Sequence, residues 1–253
     1  MSADSEDENR KMEEYFAIAG PRDPEDQNSE IIIAGCVTRN LAHGPARIPH
    51  ATVHLIPVRC GTKNVFIHKR SLRPRNAPGK WGFFGGHVSF EMGMLLATSG
   101  LAEASWMTAL REAREEIPIT VHGSTHLIQR ADLEQVGDVG QFRWGIDDYS
   151  LKNVEYSTAF VLSIPEDSSV DSSPFELLNG EVERLEVKEI LWDELRNVYQ
   201  ASKSVPPADL FNRSQFHQGF ADDVVRILDQ LAVSEELCRE FETAFSRCKV
   251  RAQ

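Results

Sequence analysis

Residues 85–119 read GGHVSFEMGMLLATSGLAEASWMTALREAREEIPI, and the end of that stretch crowds Glu112, Glu115 and Glu116 into five positions. Like charges three and four residues apart destabilise a helix by a few tenths of a kcal/mol per pair. The crowding therefore asks for a reason. At about 100° per residue, Trp106, Leu110, Ala113 and Ile117 fall on one apolar stripe. The three glutamates gather roughly 140° from its centre. This predicts a helix from about Glu103 to Glu116 that packs through the stripe and turns its carboxylates the other way. A divalent cation would convert their repulsion into attraction, since Mg²⁺ takes oxygen ligands, commonly a few carboxylates with water and substrate phosphates. A solvated acidic face is the plainer account of the glutamates taken alone.

Neighbouring residues change that balance. Glu103 stands eight positions before Arg111, and REAREEIPI follows from Arg111 to Ile119. Upstream, APGKWGFFGGHV ends in the Gly85–Gly86 pair, and downstream EVKEILWDEL reads as a strand running into a helix. Together these resemble the Nudix box, G-x5-E-x7-R-E-U-x-E-E-x-G-U with U apolar, and cover most of residues 31–195. Three positions depart from the pattern. Sixteen residues separate Gly86 from Glu103 where five are usual, an insertion of eleven, and Glu91 matches the first half of the box alone. Pro118 replaces a glycine, which is compatible with ending a helix. Phe84 stands where many members carry proline.

The resemblance implies an α/β (α+β) fold, an α/β/α sandwich around a mixed β-sheet with C-terminal helices added. It implies a pyrophosphohydrolase that uses Mg²⁺ or Mn²⁺ to cleave a diphosphate linkage, most often in a nucleotide derivative. Glu112, Glu115 and Glu116, with the Gly86 carbonyl, would hold the metal, and Glu186 is a candidate to complete its shell. Glu181 and Glu183 are nearby acids, and each of the three is more simply a surface acid. Arg111 would pair with Glu103 to set the loop and helix, and Glu115, Glu116 or a carboxylate from a later loop would serve as general base. Two other readings stay open. One is a Nudix-fold nucleotide-binding module without turnover. The other is an enzyme like isopentenyl diphosphate isomerase, disfavoured because such enzymes use a cysteine near the site. Cys60 falls in a predicted hairpin turn, and no cysteine lies between residues 61 and 237.

The segment HKRSLRPRNAPGK carries Lys69, Arg70, Arg73, Arg75 and Lys80 without one acid. Arginine's fork suits phosphate, so Arg70 and Arg73 are substrate candidates, with His87 beside the glycine pair; a solvated basic loop is the alternative. Trp81 and Trp144 offer rings for a base or for packing.

The chain has 253 residues and a net charge of −12. Residues 1–30 hold ten acids and three bases, a charge of −7, leaving −5 for the rest. An acidic body does not suit duplex nucleic acid. Residues 1–29 are expected to form a flexible acidic arm, 30–215 the catalytic domain and 216–253 a helical extension of it. Strands are expected at EIIIAGCVTRN, Val53–Val58, Asn64–His68 and YSTAFVLSIP, with Cys60-Gly61-Thr62 turning a hairpin. Helices are expected near 218–232 and 234–248, the second capped by Ser234. They could cover the site, extend the core or mediate a homodimer. Four scattered cysteines read as reduced thiols of a cytoplasmic protein, and no apolar run suggests a membrane span.

Overall fold

The computed structural model describes residues 15–26, 29–44, 46–71, 79–89, 100–136, 142–144, 154–176, 182–203 and 219–248. Strands β1 (Tyr15–Pro21) and β2 (Ile31–Thr38) pair antiparallel, and a helical turn at Arg39–Ala42 follows. Next come β3 (His50–Arg59), β4 (Asn64–Arg70), the short β5 (Trp81–Gly82) and β6 (Phe84–His87). Helix α1 spans Gly100–Glu116. Then follow β7 (Ile119–Val121), β8 (Ser124–His126), β9 (Leu133–Val136) and β10 (Phe142–Trp144). After them run β11 (Glu155–Ile164), β12 (Ser168–Val170), β13 (Phe175–Glu176) and β14 (Val182–Leu191). Helices α2 (Trp192–Lys203), α3 (Asp222–Val233) and α4 (Glu235–Arg247) close the described chain.

The main sheet is mixed, in the order β10-β11-β3-β4-β14-β13, with β11 parallel to β3 from Glu155–His50 to Ile164–Arg59. One edge of β3 is shared. β6 pairs with Thr52–Leu55, while β4 meets β3 only at Val58 and Arg59, so the sheet splays around the glycine pair. Alternation along β3 feeds two cores. Ile56 and Val58 join Trp192, Phe241 and Phe245 under α2, α3 and α4, where Trp192 stacks on Phe241 with ring centroids 6.0 Å apart. Ala51, Val53 and Leu55 face the other way, with Phe160 and α1. The α/β class and the layered arrangement expected from the sequence are both present.

The hairpin at Cys60–Thr62, the buried strand at 155–164 and the strand-to-helix passage at Trp192 match expectation. Ser234 caps α4 by accepting from the Leu237 amide at 3.2 Å. Two expectations need correction. The flexible arm was drawn too long, because β1 lies inside it. Tyr15–Gly20 carry an apolar run that docks Phe16, Ala17 and Ala19 as fully buried side chains, which outweighs the acidic composition around it. The thiols are not all reduced: Cys60 and Cys248 form a disulfide, while Cys36 and Cys238 are free. The end of α4 folds back to the β3–β4 turn across 188 residues, a proximity that no spacing announces. No helix among the described residues is long and apolar enough to cross a membrane.

Candidate functional site

The acidic helix packs through a face rotated from the expected stripe, of which Ala113 and Ile117 are fully buried. Its buried residues are Leu101, Ala104, Ser105, Thr108, Ala109, Glu112 and Ala113, whereas Trp106 and Leu110 are only partly buried at its flank. Small side chains let the helix approach the strands closely. Trp106 instead meets Phe160 edge-on at 4.8 Å and lies under Arg130 at 4.9 Å. The carboxylates are thus not all opposite the packed surface: Glu115 is exposed and Glu116 half-buried. Glu112, 8% exposed, lies within that surface.

What Glu112 packs against is the glycine pair. A Cβ built on Gly86 would run into the Glu112 carboxylate, and one on Gly85 into the Val53 carbonyl. Gly85 also adopts φ +141°, open to glycine and strained for other residues. Its amide donates to Glu116 Oε2 at 3.3 Å. Arg111 donates to Glu112 Oε1 at 2.5 Å and to Glu115 Oε2 at 2.8 Å. Burial works against the Arg111 charge, but the two carboxylates outweigh it and hold its pKa above the ordinary value.

The expected pair between Arg111 and Glu103 is corrected. Glu103 accepts two hydrogen bonds from Arg130, at 2.6 and 2.7 Å, and these hold its carboxyl below the usual range. Glu103 belongs to the first turn of α1 and Arg111 lies two turns further on, whereas Glu112 is adjacent to Arg111 and Glu115 only one turn away.

Glu186 is exposed on β14 opposite Lys69. Two residues before it, Arg184 reaches α1 instead. This buried guanidinium donates to the Glu116 carbonyl at 2.5 Å and to the Ser173 carbonyl at 3.0 Å. Burial lowers its pKa, opposed by Glu116 and Asp171. Arg184 was missed because an arginine between acids in a strand reads as a surface residue. Arg70 stands directly across from it in register. Arg73, Arg75, Glu181 and nearly all of the box insertion, Glu91 included, lie outside the described residues. Trp81 is half-buried against the C-terminal core, with Lys69 over its ring at 5.8 Å.

His87 follows Gly86 and so projects to the opposite side of β6. There it stacks on Phe16 at 3.9 Å, beside His43 and His50. Burial, then the charges of His50 and His43, pushes its pKa well below the ordinary value. Among the described residues, these three histidines are the one group whose possible metal-ligating atoms all lie within 4.8 Å of one another. Glu112, Glu115 and Glu116 converge less tightly, spread by their bonds to Arg111 and Gly85.

No protein-family model matches the chain, and no curated protein matches it. Solved structures do match, at low identity. The chain is similar to DR0079 from Deinococcus radiodurans, 13% identical over 86% of this chain and 98% of that one, with TM-score 0.46. It is similar to a NUDIX hydrolase from Alicyclobacillus acidocaldarius, 14% identical over 79% and 96% of the two chains, also at 0.46. A MutT/nudix family protein from Enterococcus faecalis is 18% identical over 56% of this chain, at TM-score 0.35, and the match spans 43% of that protein. At these values the likenesses assign neither activity nor substrate.

Proposed function

We propose that this chain is a metal-dependent hydrolase that cleaves a diphosphate linkage, with nucleoside diphosphate derivatives as its substrate class. One observation carries the reading: Glu112 and Glu116 are brought against the Gly85–Gly86 corner, where only residues lacking a side chain fit. A buried carboxylate is expensive unless partnered; Arg111 partners Glu112, and the fold gathers two more carboxylates beside it. The donor set, three carboxylates and the Gly86 carbonyl, is all oxygen and suits Mg²⁺ or Mn²⁺. When bound, such an ion neutralises diphosphate charge and lowers the pKa of a coordinated water.

The chain's own groups have separate duties. Glu112 and Glu116 would hold the ion, and the Gly86 backbone sets their distance from the sheet. Glu115 is the most exposed of the trio, and Arg111 orients it. It is the best-placed acceptor for a proton from water. Arg70 and Arg184 oppose one another in register on neighbouring strands, a like-charge pair that Glu116 and Asp171 offset at Arg184 and that a bound anion would offset further. Arg184 also ties that pair to the end of α1. Phosphate oxygens are the natural counter-charge.

The test is formation of phosphomonoester products, read as phosphate freed by added alkaline phosphatase, across a panel of phosphatase-resistant nucleoside diphosphate derivatives with Mg²⁺. Wild type should turn over at least one, and Glu115→Gln should lower the rate by about 10²–10⁴-fold, the range for loss of a general base. Rates equal in wild type, Glu115→Gln and Glu116→Gln would overturn it. A binding module is the second reading, favoured by the Arg111 guanidinium lying among the same carboxylates. It predicts nucleotide binding without cleavage. The isomerase reading weakens further, since Cys60 is held in a disulfide.

A further inference from the structure

The geometry points to a second metal site, separate from the acidic helix: one zinc-class ion held by His43, His50 and His87. The three come from different segments. His43 follows the helical turn after β2, His50 opens β3 and His87 ends β6. Their rings enclose a small volume, with centroids 4.9–5.2 Å apart, and Phe16 packs against all three.

The convergence of the three rings sets this cluster apart from His54 and His68, whose Nε2 atoms are also buried without a hydrogen bond, and two features of its members suit a ligand role. His50 Nδ1 lies 2.9 Å from the Ile48 carbonyl. Only a protonated Nδ1 satisfies that oxygen, so Nε2 carries the lone pair, which is the orientation that backbone carbonyls impose on metal-bound imidazoles. Second, the Nε2 atoms of His50 and His87 are both buried without a hydrogen-bond partner. Leaving such atoms unmatched is costly, and an ion between them would satisfy both. A tetrahedral ion with Zn–N near 2.0–2.1 Å needs nitrogens about 3.4 Å apart. The observed limit of 4.8 Å is within reach of modest side-chain rotation.

The donor chemistry selects the ion. Imidazoles suit Zn²⁺, Co²⁺, Ni²⁺ and Cu²⁺, whereas Mg²⁺ seeks oxygen and belongs with the acidic helix. Glu155 is a neighbouring carboxylate, with Oε1 3.9 Å from His50 Nε2, and it accepts from Thr52 as well. It is placed to be a fourth ligand or to offset the ion's charge. Arg39 opposes: its guanidinium lies 5.7 Å from the Phe16 ring centroid. A bound ion would pin the β1–β2 hairpin to β3 and β6 next to Gly86, stabilising the glycine corner from behind.

The test uses the full chain with Cys36 and Cys238 changed to serine, so that free thiols do not compete. It is dialysed against Zn²⁺ or Co²⁺ with excess Mg²⁺, and bound metal is counted. One ion per chain is expected, with the absorption of four-coordinate cobalt and nitrogen ligation. At a hundredfold excess of ion over its Kd, the melting temperature should rise on the order of 5–10 °C. His43→Gln, on the half-buried turn, should weaken binding by more than tenfold while its melting in chelator stays that of the parent. Glu155→Gln should weaken it by about tenfold, and Glu112→Gln should leave it unchanged. No retained ion in the parent, or retention unaltered in both His43→Gln and His50→Gln, would overturn the site. Retention lost on Glu112→Gln alone would place the ion on the acidic helix and overturn it equally.

Discussion

The two faces of β3 are built for different ends. On one, Ile56 and Val58 support an aromatic core of Trp192, Phe241 and Phe245 beneath three helices. On the other, Ala51, Val53 and Leu55 meet a single helix whose inward side chains are mostly small and include a carboxylate. Large apolar side chains gain stability from buried area. Small ones give up area and gain closeness, which lets Glu112 touch the glycine corner. One face maintains the fold and the other presents charge.

The comparison breaks most readily at Phe241. Phe241→Ala should lower unfolding free energy by about 3–5 kcal/mol in denaturant titration and leave substrate cleavage per folded molecule within about twofold. A mutant that keeps its stability, or folds normally and loses turnover, would erase the division. Gly86→Ala probes the other face. The added methyl meets the Glu112 carboxylate, so turnover should fall by at least about 10²-fold while stability falls by only about 1–3 kcal/mol, the usual range for overpacking. Equal losses of stability at the two positions would mean that both faces are simply core.

The smallest effect sharpens the comparison through pH. His68 is buried on β4 and stacked on Phe84 at 4.7 Å. Burial first, then Arg70 and Arg184, lowers its pKa to about 3. Native His68 stays neutral while the unfolded chain takes up a proton below about pH 6.5, so its contribution to stability is lost as pH falls from 6.5 towards 3. At about 1.4 kcal/mol per unit, that is about 2 kcal/mol by pH 5. His68→Gln should remove this part of the slope, read as the difference between wild-type and variant urea titrations. Identical slopes would show that burial in the native fold does not hold His68 neutral.

Much of this was legible in the chain because the relevant partners are close in sequence. The Cys60–Thr62 hairpin, the Ser234 cap and the carboxylate spacing on α1 each involve neighbours within one or two turns. The inward face of α1 was legible only at its end, where Ala113 and Ile117 are buried as expected. Hydrophobicity favours the Trp106–Leu110 stripe, but distance to the sheet favours Ala104, Ser105, Thr108 and Ala109, and close approach prevailed. The partner of Glu103 escaped for a related reason: Arg130 lies 27 residues away, and its attraction depends on where β9 and its preceding turn are laid.

From its sequence alone this protein was bound to place three carboxylates on one helix after a glycine pair, and to combine strands and helices in one α/β fold. Helical and strand periods are local properties of the backbone, so residue order suffices to set them. Tertiary structure decided that Glu112 would be buried on Gly86, that Arg184 would reach Glu116, and that three histidines would meet around Phe16. It also joined Cys60 to Cys248. Those contacts bring together segments tens to hundreds of residues apart, and only the packing of side chains against the sheet settles which of them come within a few ångströms.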